Sequence, residues 1–329
     1  MFVAPLKNNI QASLLILLMV SFGLWAGSFM FPHSSNINPL NNEHVLFHFL
    51  FYKKTSYLFT QLITLGSILL GAFFVNFLVV DQEITSKTNY LPAFFYILFA
   101  FAQAKIQVIE PTLIANLLLL PAINFLIIGY RQETALTSYF KAGLFFGLAS
   151  FFYIYYLLLF PIAFIAIYIF RAFNWREWFI LFIGIVTPLY FYFNINYLIN
   201  SKNSGPLSVF KNNLSHFEKP IISEYYLVFF VITVFITGLA IFHYLNKGMG
   251  GKIKTIKTKY VIIWLLFLSL FIVFYKQTSD MILTPCIIPL SIIMGDYLSE
   301  IKQLKIANTL LFLFISGFAI IYCHALGLF

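Results

Sequence analysis

Predominantly apolar blocks follow one another almost without pause from Ile10 to Leu328, and nearly all the charge sits in the short breaks between them. Blocks such as Tyr57–Val80 and Glu224–Asn246 extend for 17 residues or more, close to the roughly 20 helical residues that cross a bilayer core. Charged residues make up 9% of the chain, whereas a soluble domain carries about a quarter. A water-soluble fold is therefore excluded. A membrane β-barrel is excluded too, because its strands alternate apolar and polar residues over about ten positions. The pattern predicts an all-α polytopic transmembrane bundle of 10–11 spans, one integral membrane domain over residues 1–329.

The spans are expected at 10–31, 57–80, 91–104, 112–129, 139–152, 154–170, 177–199, 223–246, 260–276, 281–299 and 306–327. Lys7, an apolar stretch and the small residues Ala26, Gly27 and Ser28 are superficially signal-like. Ile10–Phe31 is 22 residues long, however, against about 7–15 for a signal core, so it reads as an uncleaved first span. Phe140–Phe170 is a 31-residue apolar run with Pro161 inside it. Two partial helices meeting near Phe152–Tyr156 are one solution, and a single kinked helix is the other. Treated as two passes, the run gives 13 basic residues inside against 7 outside, and as one pass 12 against 8. Both versions place the lysine-rich 247–259 loop in the cytoplasm and residues 200–222 and 277–280 outside.

That loop, with Gly248, Gly250 and Gly251 between lysines, lacks the Walker pattern and reads as a flexible basic loop. The net charge of +9 is accordingly a topology signal, and no domain exists to carry a nucleic-acid surface. Cys286 and Cys323 have no CxxC spacing and read as buried thiols. Gly143 and Gly147 form a small-xxx-small pair, the sign of close helix packing. Trp175 and Trp178, flanking Arg176 and Glu177, read as an interfacial anchor. Mid-span positions carry almost no ionisable groups, which counts against a proton-coupled pump. Asp296 reads as a helix-end residue near the inner face. No cofactor or metal is expected.

Polar candidates gather on the expected outer face. The outer loop 32–56, with room for an interfacial helix, holds His33, Glu43, His44, His48, Lys53 and Lys54. His44 and His48 share a helical face, but Val45 stands where a zinc-protease motif needs Glu. Lys276 and Asp280 precede a span bearing Pro285 and Pro289, Lys105 and Glu110 precede Pro111, and the outer loop 200–222 adds Lys202, Lys211, His216, Glu218 and Lys219. Together these groups suit a phosphate-bearing lipid, with lysines pairing the phosphate and a carboxylate acting as base.

The stretches "KAGLFFGLASFFYIYYLLLFPIAF" at 141–164 and "YKQTSDMILTPCIIPLSIIMGDYL" at 275–298 resemble those of the polyprenyl-phosphate-sugar-dependent glycosyltransferases of the C fold. The resemblance implies a bacterial inner-membrane protein with a cytoplasmic N-terminus, a membrane-lipid partner such as a polyprenyl phosphate, and sugar transfer at the outer leaflet. Glu43 and Asp280 become the catalytic candidates, and Lys105 and Lys276 the phosphate-binding ones. That family places an acid directly after the first span, whereas "FPHSSNINPLNNEH" at 31–44 has Glu43 as its sole acid. The chain also resembles an uncharacterised family of bacterial multi-spanning proteins through its "NWREW" segment, Asn174–Trp178. Two further functions stay open: a non-catalytic membrane subunit or scaffold of an envelope complex, and a lipid or small-molecule transporter. The enzyme reading requires Glu43, Lys105, Lys276 and Asp280 to converge on one site.

Overall fold

Lipid offers the backbone no hydrogen bonds, so a continuous apolar run satisfies its own amides by coiling into a helix. The computed structural model describes residues 3–8, 10–30, 57–85, 89–102, 111–199, 224–247, 252–275 and 283–325, and their regular elements are all helical. In order they are α1 (Val3–Asn8), α2 (Ile10–Met30), α3 (Tyr57–Asp81), α4 (Leu91–Phe101), α5 (Pro111–Ile128), α6 (Leu136–Phe152), α7 (Pro161–Phe170), α8 (Trp175–Ile199), α9 (Glu224–Lys247), α10 (Ile253–Tyr275), α11 (Ile287–Glu300) and α12 (Leu304–Ala325). Six of them are long and apolar enough to cross a membrane, and there are four shorter apolar stretches among the described residues, one before the first of these and three between them. Large apolar side chains such as Phe73, Tyr190 and Phe312 face outward, as a lipid-bathed surface allows. The chain is a multi-pass helical membrane protein.

The centre of the bundle is a pair of short helices. Every residue of α4 is buried, and so are all but the last few of α11. The 11 residues of α4 reach about 16 Å at 1.5 Å each, roughly half the hydrocarbon thickness. Within the expected span 91–104, α4 is therefore a buried half-span. Gly295 of α11 lets the two backbones meet, since a Cβ there would lie 2.6 Å from the Pro92 nitrogen. Around them Phe95 and Phe99 of α4 pack on Phe314 at ring separations of 5.2 and 5.1 Å, and Phe229 joins Phe314 at 5.3 Å.

The apolar run 140–170 makes two passes. Helix α6 ends at Tyr153, which is extended (φ −141°, ψ 103°), and a 3-10 turn over Ile154–Leu159 leads to α7. Pro161 opens α7, at the position where its missing N–H costs nothing, so it does not kink a longer helix. Arg171, just after α7, donates to the carbonyls of Gly129, Gln132 and Glu133 at 3.2, 2.8 and 2.8 Å. The chain has therefore returned to the end from which α6 set out.

Helix α6 lies against α8 along the small-residue stripe. A Cβ on Gly143 would sit 2.3 Å from the Leu181 carbonyl oxygen, one on Gly147 2.6 Å from that of Ile185, and one on Gly184 2.5 Å from that of Phe140. Backbone cannot yield as a side-chain tip can, and the overlap falls on three positions of one seam. Gly143→Ala is expected to destabilise the protein by about 1–3 kcal/mol in a denaturant titration in detergent. Gly238→Ala, whose Cβ would meet nothing within 4 Å, is the neutral control.

Candidate functional site

Polar side chains collect at the two ends of the bundle, and the two collections differ in kind. At one end helix termini and lysines interlock. Lys7 Nζ donates to the Ile301 carbonyl at 3.0 Å, Lys254 Nζ to Gln82 Oε1 at 2.7 Å and Lys257 Nζ to the Phe170 carbonyl at 3.2 Å. Lys252 pairs with Glu83 at 2.6 Å. Helix α10 starts at Ile253 rather than 260, so Lys254, Lys257 and Lys259 lie on a helix and not in a flexible loop. The physical reason is that each lysine has a partner on a different element, which fixes the first two turns of α10 in place.

Lys259 reaches deepest. Its ammonium lies 2.7 Å from Asp296 Oδ2 and 3.5 Å from Glu300 Oε1, and its charge sits 4.3 Å from the Tyr244 ring centroid. Asp296 is fully buried, one turn before the end of α11, where a helix-end acid was expected. Glu300 also meets His243 Nε2 at 3.0 Å, and the Tyr244 hydroxyl donates to the Ile293 carbonyl at 3.1 Å. The cluster ties α9, α10 and α11 together, with a cation between two carboxylates, and its chemistry is charge neutralisation.

The Asn174–Trp178 segment belongs to this end. Asn174 Oδ1 accepts from the Arg176 amide at 3.2 Å and so opens α8. Glu177 is buried and faces Arg171 at 3.4 Å. Trp178 packs on Phe164 and Phe173 at 5.2 and 5.3 Å, while Trp175 is exposed and carries Arg176 above its ring. Trp175 therefore suits the expected anchor, and the inward half of the segment is a helix-start clamp. Arg171 and Glu177 are partners that the sequence reading did not pair, because they come from separate segments.

Each of the long helices has one end at this basic face. The far ends of α2, α8 and α10, beyond which residues 31–56, 200–223 and 276–282 follow, are therefore opposite it, and the short α4 points toward the same end. Toward that end lies a small buried polar triad. Asn116, in the second turn of α5, accepts from the Tyr156 hydroxyl at 2.6 Å and donates to the Thr284 carbonyl at 3.0 Å. All three residues are fully buried. Tyr156 sits in the 3-10 turn between α6 and α7, Thr284 in the one leading to α11. The sequence reading missed this triad. An Asn within a span is the one signal available, since burying an amide in apolar surroundings is costly unless it is bonded.

Glu43, Asp280, Lys105 and Lys276 all lie outside the described residues, as do His33, His44 and His48. Among the described residues no group of three or more His, Cys, Asp or Glu is placed to hold a metal ion. Cys286 is buried and Cys323 half-buried, both as free thiols.

The chain belongs to a family of unknown function (DUF6427), whose model matches residues 39–328. Its fold is similar to that of ArnT from Cupriavidus metallidurans, a protein seen bound to undecaprenyl phosphate. The TM-score is 0.58 at 12% sequence identity, over 89% of this chain and 61% of ArnT. This chain thus spans less than two thirds of that protein's length, and the likeness shows a shared fold. No curated protein matches the sequence.

Proposed function

We propose that this member of a family of unknown function binds a polyprenyl-phosphate-linked sugar at the end of the bundle opposite its basic face and transfers the sugar there. The observation that carries the reading is the backbone likeness to a protein bound to undecaprenyl phosphate. The distribution of charge supports it: lysines and Arg171 concentrate at the other end, the side that the positive-inside bias assigns to the cytoplasm of a bacterial inner membrane. Two passes through 140–170 then put the N-terminus in the cytoplasm as well. In this reading Glu43 removes the proton from the acceptor, Asp280 is the second acid, and Lys105 and Lys276 pair with the phosphate.

In a transfer assay with a lipid-linked sugar in nanodiscs, Glu43→Gln is expected to lower the rate by about a hundredfold. Lys276→Gln is expected to weaken lipid-phosphate binding while leaving the fold intact. Full activity of Glu43→Gln ends the catalytic assignment. One specific observation favours a second reading, a non-catalytic subunit of an envelope complex: the stretch Phe31–His44 carries a single acid, Glu43. Co-purification of a stoichiometric membrane partner, with no lipid phosphate bound, would decide for it.

A further inference from the structure

Hydroxyl side chains within these helices follow a common habit. Thr64, Ser67, Ser150, Thr237, Thr258, Ser269 and Ser291 each donate to a carbonyl three or four residues earlier in their own helix. Thr284 does not. It is fully buried, and among the described residues its Oγ1 has no hydrogen-bond partner. As the first residue of its 3-10 turn, it has no preceding helical turn to bond back to. Its backbone, by contrast, is held from two other elements, through the Asn116 amide and the Tyr156 hydroxyl behind it. Thr233, the other threonine with an unpaired hydroxyl, lies mid-helix in α9, and the hydroxyl bonded to its carbonyl is that of Thr237 on the same helix.

Native proteins leave few buried polar groups unpaired, and each one asks for an explanation. Here the surroundings suggest one. Thr284 heads α11, at the helix end whose dipole favours negative charge. Pro285 and Pro289 have no backbone N–H to offer there. The N–H groups of Cys286 and Ile287 are bonded to the Leu283 and Thr284 carbonyls, so the Thr284 hydroxyl is a donor left over at this helix start.

We propose that Thr284, held in place by Asn116 and Tyr156, is a subsite whose hydroxyl bonds an oxygen of the lipid-linked head group, either a phosphate oxygen or a sugar hydroxyl. The subsite rests on the lipid-phosphate reading above and adds to it a residue on a rigid part of the bundle.

Thr284→Val keeps the shape and removes the hydroxyl, so it separates the subsite from mere packing. Binding to the full chain in nanodiscs would be measured for undecaprenyl phosphate, undecaprenol and a sugar-linked undecaprenyl phosphate, alongside Tm without ligand. The expected result is an affinity about tenfold lower in Thr284→Val, the size of one hydrogen bond to a charged group, with the ligand-free Tm unchanged or raised. Thr284→Ser should restore the affinity. A loss shared by both phosphate lipids but absent for the alcohol assigns the bond to phosphate. A loss confined to the sugar-linked lipid assigns it to a sugar hydroxyl. Wild-type binding with no change in Thr284→Val overturns the subsite alone. A wild-type chain that binds none of the phosphate lipids overturns the lipid-phosphate reading and the subsite with it.

Discussion

Lys259→Met is expected to destabilise the protein by about 3–5 kcal/mol, the usual cost of removing one partner from a buried ion pair. Asp296 is fully buried, and its nearest cation is the Lys259 ammonium at 2.7 Å. Methionine fills nearly the same volume and stays compatible with the helix, so packing and propensity change little. What remains is a carboxylate with no counter-charge, one turn away from a second carboxylate, Glu300, that has lost the same ammonium. The loss would be read as a shift in the midpoint of denaturant unfolding in detergent micelles. Asp296→Asn added to Lys259→Met should recover most of it, because the pair contributes little net stability once both charges are gone. A Lys259→Met protein as stable as wild type would show that Asp296 is already neutral in the fold.

The bundle was legible in the sequence because lipid imposes a coarse rule, that apolar length means a span. Breaks between spans were legible for the same reason, although hydropathy left 140–170 open between two helices meeting near Phe152–Tyr156 and one kinked helix. What the hydropathy pattern hides is which face of a span is inside. In water an apolar stripe marks the buried face, but lipid is as apolar as the protein core. The wholly buried α4 and the lipid-facing side of α8 therefore read alike, with Phe99 buried and Phe182 exposed. The lysines of 252–259 illustrate a second gap. As a string they suggested a solvated loop, and their partners Gln82, Glu83, Phe170 and Asp296 come from three other parts of the chain. Helical spacing puts Lys254 and Lys257 on one side of α10 and Lys259 on the other, which is what lets one segment clamp several neighbours. The glycine seam was legible because Gly143 and Gly147 stand four apart on one helix; its other half, Gly184, was not.

The candidate site divides in the same way. Charged groups in the outer segments stood out against an apolar background, so Glu43, Lys105, Lys276 and Asp280 were easy to nominate. The buried triad of Asn116, Tyr156 and Thr284 was not, since each residue alone is unremarkable in a span. Its meaning lies in convergence of α5, the α6–α7 turn and the start of α11. A deep polar contact of this kind is costly to maintain in apolar surroundings. It joins α5 and the α6–α7 turn to the start of the central α11, and so places a fixed polar point on the side of the bundle where the lipid head group is proposed to bind.

Arg171 provides the second large effect, and its test separates hydrogen bonding from charge. Its guanidinium donates to three carbonyls in the turn that joins α5 to α6, and it also faces the buried Glu177 carboxylate of α8 at 3.4 Å. Its place just beyond the C-terminus of α7 is itself favourable to a cation. Arg171→Met removes all of these at once, leaving Glu177 buried without its cation, and is expected to cost about 3–5 kcal/mol. Arg171→Lys keeps the charge but has no planar fork to reach several acceptors, and should recover only about half of the loss. Glu177→Gln alone should cost about 1 kcal/mol, as for a modest hydrogen-bond change, since the three carbonyls still hold the guanidinium. If Glu177→Gln fully rescues Arg171→Met, the ion pair is the whole effect and the carbonyl bonds are incidental. If it rescues only in part, the turn between α5 and α6 depends on Arg171 for its shape. The two-pass form of 140–170 then follows from a specific contact as well as from hydropathy, because that contact is what anchors the returning end of α7 beside the starting end of α6.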